Sequence, residues 1–447
     1  MSTRGTVAFY TLGCKLNYSE TSAIGRQFTE AGYQEVGFKD GADVVVINTC
    51  SVTEFADRKC RNIVRRALGA NAGAKVVVVG CYAQLKPEEI ANIEGVDLVL
   101  GAAEKFRILD YIDAVTAGSG KGMVRAGEVK EADSFISSFS FGDRTRSFLK
   151  VQDGCDYKCT FCTIPLARGA SRSSTVEQIV RDAEAIAARG VKEIVLTGVN
   201  IGDFGNGTSV IEGQRPRKEA LFSDLAAALD DVKGITRFRI SSIEPNLCTN
   251  ELIDFVAGSQ RFAPHFHMPL QSGNNKQLAQ MRRRYRRELY AERVAHIRSV
   301  MPHACIGVDL IVGFPGETEE DFLKTYRFVQ ELDVSYFHVF TYSERAGTPA
   351  AEMDGAVPLA ERKRRNKMLG ILSEKKLRAH YARHVGETRP VLLEKSKEKG
   401  VLHGFTDNYV KVRFAAEEAW VNHLVPLKLG GIGEDGLVIG ELAEVGV

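Results

Sequence analysis

The sequence predicts an α/β multidomain protein. It would comprise an N-terminal parallel α/β domain over residues 1–115, a linker over 116–146, a central partial (β/α)6 barrel over 147–380 and a small all-β barrel over 381–447. Two blocks of the chain alternate apolar strand-like runs with helix-like segments, which indicates βαβ units. A stretch rich in Gly, Ser and charge separates the blocks, and short alternating strands with intervening glycines fill the C-terminal end. The length of 447 residues fits several domains.

The composition excludes several classes of protein. Hydrophobic residues make up 44% and charged residues 26%, as in ordinary globular domains. No apolar run approaches the roughly 18 residues that cross a bilayer, and the first residues lack a signal-peptide layout, so a soluble, cytoplasmic protein is expected, with no membrane partner. In a reducing compartment the nine cysteines favour metal ligands or catalytic groups over disulfides. With a formal charge of +2, any affinity for nucleic acid must come from local basic patches.

The N-terminal block contains four buried strands and three helices. The strand-like runs are TVAFYTL, DVVVINT, KVVVVG and VDLVLG, and residues 17–32, 51–69 and 87–92 are helix-like. This alternation predicts a parallel sheet with helices on its faces.

The second block contains six strands, each followed by a helical or loop segment. The runs are SFLKVQ, EIVLTG, RFRISS, HFHMPL, CIGVDLIVG and SYFHVFTY. Six such units predict an incomplete barrel of the TIM type, whose chemistry would lie at the C-terminal strand ends. Residues 203–220 are predicted to form a long polar insertion.

The sharpest local motif is CDYKCTFC, which carries Cys155, Cys159 and Cys162 directly after the first barrel strand. Three thiolates on a four-iron cluster leave one iron open, whereas a structural zinc site usually has four protein ligands. An open iron can bind the amino and carboxylate groups of methionine. The motif resembles that of the radical S-adenosylmethionine (SAM) superfamily; a zinc knuckle or chance is the alternative.

A second set of cysteines ends three predicted strands of the first domain. Cys14, Cys50 and Cys81 follow AFYTLG, VVVINT and VVVVG, and their strand ends share one edge of a parallel sheet. Any one of them could be an ordinary buried cysteine. Three at equivalent positions predict a second three-ligand cluster site.

The ordered motifs resemble the radical methylthiotransferase family. The similarity begins with TLGCKLNYSE, INTCSVTEFAD and VVGCYAQ, and continues through CDYKCTFCTIPLARG, LTGVNIGDFG, RISSIEP, HMPLQSGN and DLIVGFPGETEEDF. The C-terminal segment with GFTDNYVKV is similar to the RNA-binding TRAM barrel. GCKLN and GFTDNY are most similar to the branch that acts on N6-threonylcarbamoyladenosine beside the tRNA anticodon.

The resemblance implies two [4Fe-4S] clusters and S-adenosyl-L-methionine as cofactors. The cluster on Cys155, Cys159 and Cys162 would cleave SAM to a deoxyadenosyl radical, and the cluster on Cys14, Cys50 and Cys81 would supply sulfur. As elsewhere, the protein would position these cofactors and shield them. The expected product is 2-methylthio-N6-threonylcarbamoyladenosine at position 37. The implied partners are the tRNA anticodon stem-loop, a flavodoxin-type electron donor and a sulfur donor, and a monomer is expected.

Weaker candidates at the barrel strand ends would contact SAM. They are Arg168, Gly198, Ser242, Glu244, His267 and Gln271. Each is equally well explained as an internal hydrogen-bonding residue, but as a group they share a predicted location at the barrel strand ends. Arg168 could pair with the methionine carboxylate or with a substrate phosphate.

Two basic segments are candidates for RNA contact. Residues 282–287 (RRRYRR) would meet phosphates or stack Tyr285 on a base, or else form a salt-bridged helix start. The basic helix over 361–384 leads into the predicted RNA-binding barrel. Cys60, Cys248 and Cys305 are expected to be packing residues.

Two other functions stay open at this point. One keeps the chemistry but changes the substrate to isopentenyladenosine in tRNA or to an aspartate of a ribosomal protein. The other is a non-catalytic iron–sulfur protein that binds tRNA or carries electrons, which the open-iron spacing disfavours.

Overall fold

A computed structural model describes residues 4–50, 54–117, 122–142, 145–207 and 220–443. Most of the predicted insertion, 208–219, and part of the linker therefore lie outside the described residues. Within the described part, no helix is both long and apolar enough to cross a membrane.

The N-terminal domain is a six-stranded parallel sheet flanked by helices. Its strands are β1 (Gly5–Thr11), β2 (Tyr33–Glu35), β3 (Val44–Thr49), β4 (Lys75–Gly80), β5 (Val96–Leu100) and β6 (Met123–Arg125), in the order β2-β1-β3-β4-β5-β6. Its helices are α1 (Lys15–Glu30), α2 (Glu54–Ala70), α3 (Cys81–Leu85), α4 (Pro87–Ala91) and α5 (Leu109–Thr116). Strands β3 and β4 are buried on both faces, which explains their continuous apolar runs.

The four strands predicted for this domain are confirmed, and the structure adds two short edge strands. Strand β2 has only three residues, two of them exposed, so no alternation marks it. Strand β6 lies within the segment assigned to the linker and pairs parallel with β5.

The central domain is an incomplete barrel. Its strands are β7 (Ser138–Phe139), β8 (Ser147–Lys150), β9 (Gln152–Asp153), β10 (Arg172–Ser173), β11 (Glu193–Thr197), β12 (Arg237–Ile240), β13 (His265–Gln271), β14 (Cys305–Val312) and β15 (Tyr336–Thr341). Its helices are α6 (Ile164–Arg168), α7 (Val176–Ala187), α8 (Phe222–Asp230), α9 (Asn250–Gly258), α10 (Asn275–Gln280), α11 (Arg287–Val300), α12 (Glu319–Glu331) and α13 (Leu359–Arg383).

The six long strands of this domain form one parallel arc, as predicted. Strands β8, β11 and β12 pair in parallel, as do β13, β14 and β15. Isolated parallel bridges, Phe238 to Phe262 and Ser242 to His267, connect the two halves. The short strand β7 pairs antiparallel with β8, so the segment assigned to the linker contributes to both sheets.

Threonine caps fix where three barrel helices begin. The hydroxyl oxygens of Thr175, Thr249 and Thr318 each accept a backbone N–H at the start of α7, α9 and α12. Such caps satisfy a donor that the helix itself leaves unpaired. These three caps therefore fix the residue at which each preceding loop ends and its helix begins.

The C-terminal domain is a closed five-stranded barrel. Its strands are β16 (Thr388–Lys395), β17 (Val401–Thr406), β18 (Lys411–Ala415), β19 (Leu424–Ile432) and β20 (Val438–Leu442), closing in the order β16-β17-β18-β20-β19. Strand β19 escaped prediction because Pro426, Gly430 and Gly431 interrupt its apolar pattern.

Helix α13 joins the central domain to this barrel. Asn366 Nδ2 donates to the carbonyl of Val339 in β15 at 2.8 Å. At the other end of the helix, His380 Nε2 lies 3.1 Å from the carbonyl of Asn408 in the barrel. The C-terminal barrel is thereby held against the N-terminal strand ends of the central domain, where Arg239 donates to the carbonyl of Asp407 at 3.1 Å.

Candidate active site

The first cysteine set lies on one edge of the N-terminal sheet. Cys50 and Cys81 directly follow β3 and β4, and Cys14 lies three residues beyond β1, the neighbour of β3. Cys50 and Cys81 are buried, while Cys14 is exposed. The predicted convergence of the three strand ends is therefore present.

Two glycines allow the loops of this set to approach one another. Gly13 has φ +107°, and a Cβ there would lie 2.6 Å from the Cβ of Cys50. Gly80 has φ +101°, and a Cβ there would collide with the carbonyl oxygen of Thr49. Side chains would be strained at both positions, so the close packing beside Cys50 and Cys81 requires glycine.

Asn17 on the first turn of α1 ties this edge together. Its Nδ2 donates to the carbonyls of Leu12 at 2.8 Å and Thr49 at 2.9 Å. Its Oδ1 lies 3.6 Å from the Sγ of Cys14 and accepts from Arg168 Nη2 at 2.7 Å. Asn17 therefore connects the Cys14 loop to the barrel.

The second cysteine set lies in the loop between β9 and α6. Gly154 has φ +70°, and a Cβ there would collide with the carbonyl oxygen of Ala170. The backbone N–H of Tyr157 donates to Cys155 Sγ at 3.4 Å, and that of Ile164 donates to Cys162 Sγ at 3.5 Å. These donors would stabilise thiolate sulfurs that hold iron.

Arg283 completes the surroundings of this set, and sequence reasoning missed it. Its Nη1 donates to Cys159 Sγ at 3.1 Å, and its Nη2 pairs with Glu244. Burial raises the pKa of Glu244, and Arg283 opposes that rise. The only sequence signal was a basic run assigned to RNA, because nothing in RRRYRR marks which arginine turns inward.

The thiols of this set are protonated at neutral pH without metal. Burial raises the pKa of Cys155 to about 12 and that of Cys162 to about 11, and it also raises the pKa of Cys159. Metal binding must therefore displace protons, as is general for thiolate ligands.

A cavity of about 270 Å³ lies between the two sets. Cys81 of the first set and Cys162 of the second both line it, together with Gln271 and Asp309. One thiol of each set thus lines a shared cavity, and each set has the three-sulfur donor chemistry of an open iron–sulfur cluster. The residues present fit two such clusters.

The predicted strand-end residues divide into those near this cavity and those bound internally. Gln271 lines the cavity with φ +66°. His267 Nε2 lies 3.0 Å from Oδ2 of the cavity residue Asp309. The backbone of Ser242 forms an isolated parallel β-bridge with that of His267. Glu244 is paired with Arg283.

Gly198 packs against the side chain of Gln152. A Cβ on Gly198 would be 3.0 Å from Oε1 of Gln152, which accepts from the backbone N–H of Val199 at 2.9 Å. The close approach that Gly198 allows is therefore to Gln152. Next to it, the buried side-chain amide of Asn200 has no hydrogen-bond partner within the described part of the chain.

Arg168 is committed to a buried ion network between the two domains. Its Nη1 donates to Glu20 at 3.0 Å and to Asp153 at 2.9 Å. Its side chain is 2% exposed. The geometry therefore gives Arg168 a docking role and no support for the predicted contact with the methionine carboxylate.

Two further predictions are settled by burial. Tyr285 is buried and its hydroxyl lies 2.6 Å from the carbonyl of Pro269, so base stacking by Tyr285 is wrong. Cys60, Cys248 and Cys305 are fully buried, as expected of packing residues.

A six-strand barrel with a three-cysteine loop facing a second three-cysteine edge defines a radical SAM enzyme with an auxiliary cluster domain. Residues 6–101 match the family model described as Uncharacterized protein family UPF0004, and residues 149–329 match the Radical SAM superfamily. Among solved structures, the radical S-adenosylmethionine methyltransferase TsrM from Kitasatospora setae has a TM-score of 0.58 at 15% identity, covering 77% of this chain and 75% of that one. That likeness shows the fold.

Relatives narrow the class further. Threonylcarbamoyladenosine tRNA methylthiotransferase MtaB of Bacillus subtilis is 40% identical over 95% of this chain and 93% of its own length. The tRNA-2-methylthio-N(6)-dimethylallyladenosine synthase of Akkermansia muciniphila is 30% identical over 94% of this chain and 95% of its own. This chain belongs to the MtaB family of radical SAM tRNA methylthiotransferases.

Proposed function

We propose that this protein adds a methylthio group to carbon 2 of N6-threonylcarbamoyladenosine at position 37 of tRNA, next to the anticodon. The observation that carries the proposal is one cavity lined by a cysteine of each set, Cys81 and Cys162, in a chain similar to MtaB over nearly its full length. A carbon inside that cavity would be within reach of both cysteine sets.

Each cysteine set would hold one [4Fe-4S] cluster. Cys155, Cys159 and Cys162 would hold the cluster that binds SAM, and Cys14, Cys50 and Cys81 would hold the auxiliary one. When bound, the clusters and SAM supply the electron, the carbon radical, the sulfur and the methyl group.

The chain itself orients these groups. Backbone N–H groups and Arg283 stabilise the barrel thiolates, and Asn17 fixes the Cys14 loop. Gly198, Ser242, Glu244, His267 and Gln271 are the proposed SAM contacts. Four of them end or follow barrel strands, and His267 lies within β13.

The tRNA is proposed to lie along α13 and the C-terminal barrel. Part of the positive charge of α13 is internal, because Arg362 and Arg365 are buried and pair with Glu344 and Glu317. Four basic residues of the helix are exposed and are not involved in ion pairs with described residues: Lys363, Lys367, Lys375 and Arg378. These four are the proposed phosphate contacts. A flavodoxin-type reductant, a sulfur donor, a monomeric state and a cytoplasmic location complete the proposal.

Two cysteine variants test which cysteine set serves SAM cleavage and which serves methylthiolation. In the anaerobically reconstituted enzyme, Cys159→Ala is expected to abolish deoxyadenosine formation, while Cys50→Ala keeps SAM cleavage measurable and ends methylthiolation. Cys248→Ala, which removes a buried barrel thiol outside both sets, is the control and should retain both activities. Methylthio product from Cys50→Ala at the normal rate would contradict the proposed sulfur source.

Nucleoside analysis tests the substrate. Position-37 nucleosides of tRNA from a deletion strain should lack the 2-methylthio group on threonylcarbamoyladenosine and regain it with the wild-type gene. Unchanged tRNA together with an unmodified ribosomal-protein aspartate would instead identify a protein substrate.

A further inference from the structure

Arg345 lines the cavity that is shared by the two cysteine sets. Among the described residues of the cavity wall, Arg345 contributes the positive charge and Asp309 the carboxylate. Much of the remaining wall is apolar and is formed by Phe161, Ile164, Ala167, Ile311 and Phe340. In such surroundings a charged group interacts with a ligand more strongly than it would in water. An anion inside the cavity would therefore lie in the field of Arg345.

The loop that carries Arg345 follows β15 and is tied to the second cysteine loop. The carbonyl of Arg345 accepts a hydrogen bond from the buried Thr348 hydroxyl at 2.7 Å. Two residues later, the backbone N–H of Ala350 donates to the carbonyl of Thr160 at 2.9 Å. Thr160 directly follows Cys159. The backbone that presents Arg345 is therefore fixed relative to the cysteine loop.

Asp309 gives the cavity a second charge of opposite sign. Its carboxylate lies 3.0 Å from His267 and 3.2 Å from His338. Burial alone would raise the pKa of Asp309, but the two imidazoles lower that pKa below its ordinary value, so the group is ionised at neutral pH. A carboxylate that entered the cavity would be repelled by Asp309 and attracted by Arg345. A hydrocarbon group would experience neither effect.

The substrates named for the relatives differ in one anion. Threonylcarbamoyladenosine carries a carboxylate on its N6 substituent, whereas dimethylallyladenosine carries hydrocarbon there. Carbon 2 and the carbon that bears N6 are both bonded to N1 of the purine. A base that brings carbon 2 within reach of Cys81 and Cys162 therefore has the start of its N6 substituent in the same cavity.

We propose that the Arg345 guanidinium binds the threonyl carboxylate of the substrate and selects the threonylcarbamoyl group over an apolar substituent. The inference rests on the proposed function. It makes Arg345 a specificity-determining residue that contacts the substituent and leaves the reacting carbon to the clusters. A guanidinium suits this role because two of its N–H groups match the two oxygens of a carboxylate. A hydrocarbon substituent would cover the guanidinium without supplying those hydrogen bonds, which disfavours it.

Binding to synthetic anticodon stem-loops tests the inference on the cluster-loaded enzyme without turnover. Three RNAs are compared, with threonylcarbamoyladenosine, dimethylallyladenosine or adenosine at position 37. Wild type should prefer the first RNA, and Arg345→Gln should reduce that preference by roughly tenfold to a hundredfold while binding the adenosine RNA as before. Arg345→Lys keeps the charge without the paired N–H groups and should retain part of the preference. Arg327→Gln removes an exposed arginine of α12 that does not line the cavity, and it should bind as wild type.

The affinity for SAM, measured on the same variants, separates the alternatives. Equal weakening for all three RNAs by Arg345→Gln would make Arg345 a general RNA contact and overturn the inference. Weaker SAM binding with an unchanged RNA preference would assign Arg345 to the methionine carboxylate, which also overturns it. If wild type methylthiolates the first RNA while Arg345→Gln keeps the full preference, the inference fails and the proposed function stands. Wild type that gives no methylthio product with any of the three RNAs would refute the proposed function, and the inference with it.

Discussion

Replacing Glu20 by Gln removes the central anion of the network that docks the N-terminal domain on the barrel. Glu20 lies on α1 and is fully buried. Its Oε1 is 2.8 Å from Lys105 Nζ, 3.0 Å from Arg168 Nη1 and 3.5 Å from Lys150 Nζ. Gln has nearly the same shape, so the substitution changes charge with little change in volume. Lys150 and Arg168 would then keep Asp153 as their acidic partner, and Lys105 would lose the ion pair that it makes with Glu20.

The size of the effect follows from the pKa of Glu20. Burial alone would raise that pKa, but Arg168, Lys105 and Lys150 together lower it from an ordinary 4.5 to about 2. The difference corresponds to about 3 kcal/mol of stabilisation of the ionised form. Removing one partner of a buried ion pair typically costs about 3–5 kcal/mol, which agrees. The docked state of Glu20→Gln should therefore be less stable than wild type by about 3 kcal/mol.

Hydrogen exchange read by mass spectrometry measures this loss where it occurs. Exchange through opening of α1 should accelerate by about two orders of magnitude at neutral pH, since each 1.4 kcal/mol is tenfold. Glu30→Gln, which removes an exposed acid from the other end of α1, is the control and should exchange as wild type. Exchange in Glu20→Gln within a factor of about two of the Glu30→Gln rate would refute the assigned energy.

The pH dependence of the same experiment has a defined sign. A carboxyl group with a depressed folded-state pKa stabilises the protein above its unfolded pKa and loses that contribution as the pH falls. The gap between wild type and Glu20→Gln should be constant above about pH 4.5 and shrink as the pH approaches the folded-state pKa of about 2. A gap that grew on acidification would mean that Glu20 is not ionised in the folded protein.

The remaining predictions concern the two cysteine sets. Gly80→Ala places a Cβ against the carbonyl oxygen of Thr49, so iron per chain after reconstitution should fall from about eight to about four while SAM cleavage persists. Gly154→Ala should also halve the iron but abolish cleavage, and equal cleavage in the two glycine variants would refute the assignment. Arg283→Met removes the cation 3.1 Å from Cys159 Sγ, so the reduction potential of that cluster should fall; Arg283→Lys should restore part of it, and identical potentials would show that Arg283 only positions the loop.

The fold could be predicted wherever strands are buried and helices have marked starts. The runs that became β3, β4 and β14 are almost wholly buried, and their apolar patterns located them to within two residues. Strand β19 was not located, because Pro426 stands inside its alternating pattern and Gly430 and Gly431 end that pattern. The short strand β6 pairs at the edge of a sheet from a segment whose composition indicates a linker. In both cases pairing with distant strands decides the structure, and the local pattern is too short or too interrupted to locate the strand.

The candidate site also has a part that the sequence predicted and a part that it did not. The cysteine sets were predictable because chain position relative to strand ends determines where the thiols lie. The partners of those thiols were not, because they come from distant segments: Arg283 reaches Cys159 across 124 positions, and Arg168 reaches Glu20 across 148. Arg168 also shows that a position beside the cysteine loop does not by itself identify a cofactor contact. It lies beside the cysteine loop, as expected of a cofactor contact, and yet its guanidinium faces the other domain.

The way the two domains dock explains how the cavity keeps its dimensions. Helix α3, which begins with Cys81, packs against α6, which follows Cys162 and ends with Arg168. The contact between the domains therefore runs through the segments that carry the thiols. An apolar surface can slide at little cost, whereas charge-assisted hydrogen bonds are directional, and Arg168 bonds Asn17, Glu20 and Asp153 at once. A small rotation of one domain would break several of these bonds in a buried place, so the distance between Cys81 and Cys162 is fixed by the same residues that hold the domains together.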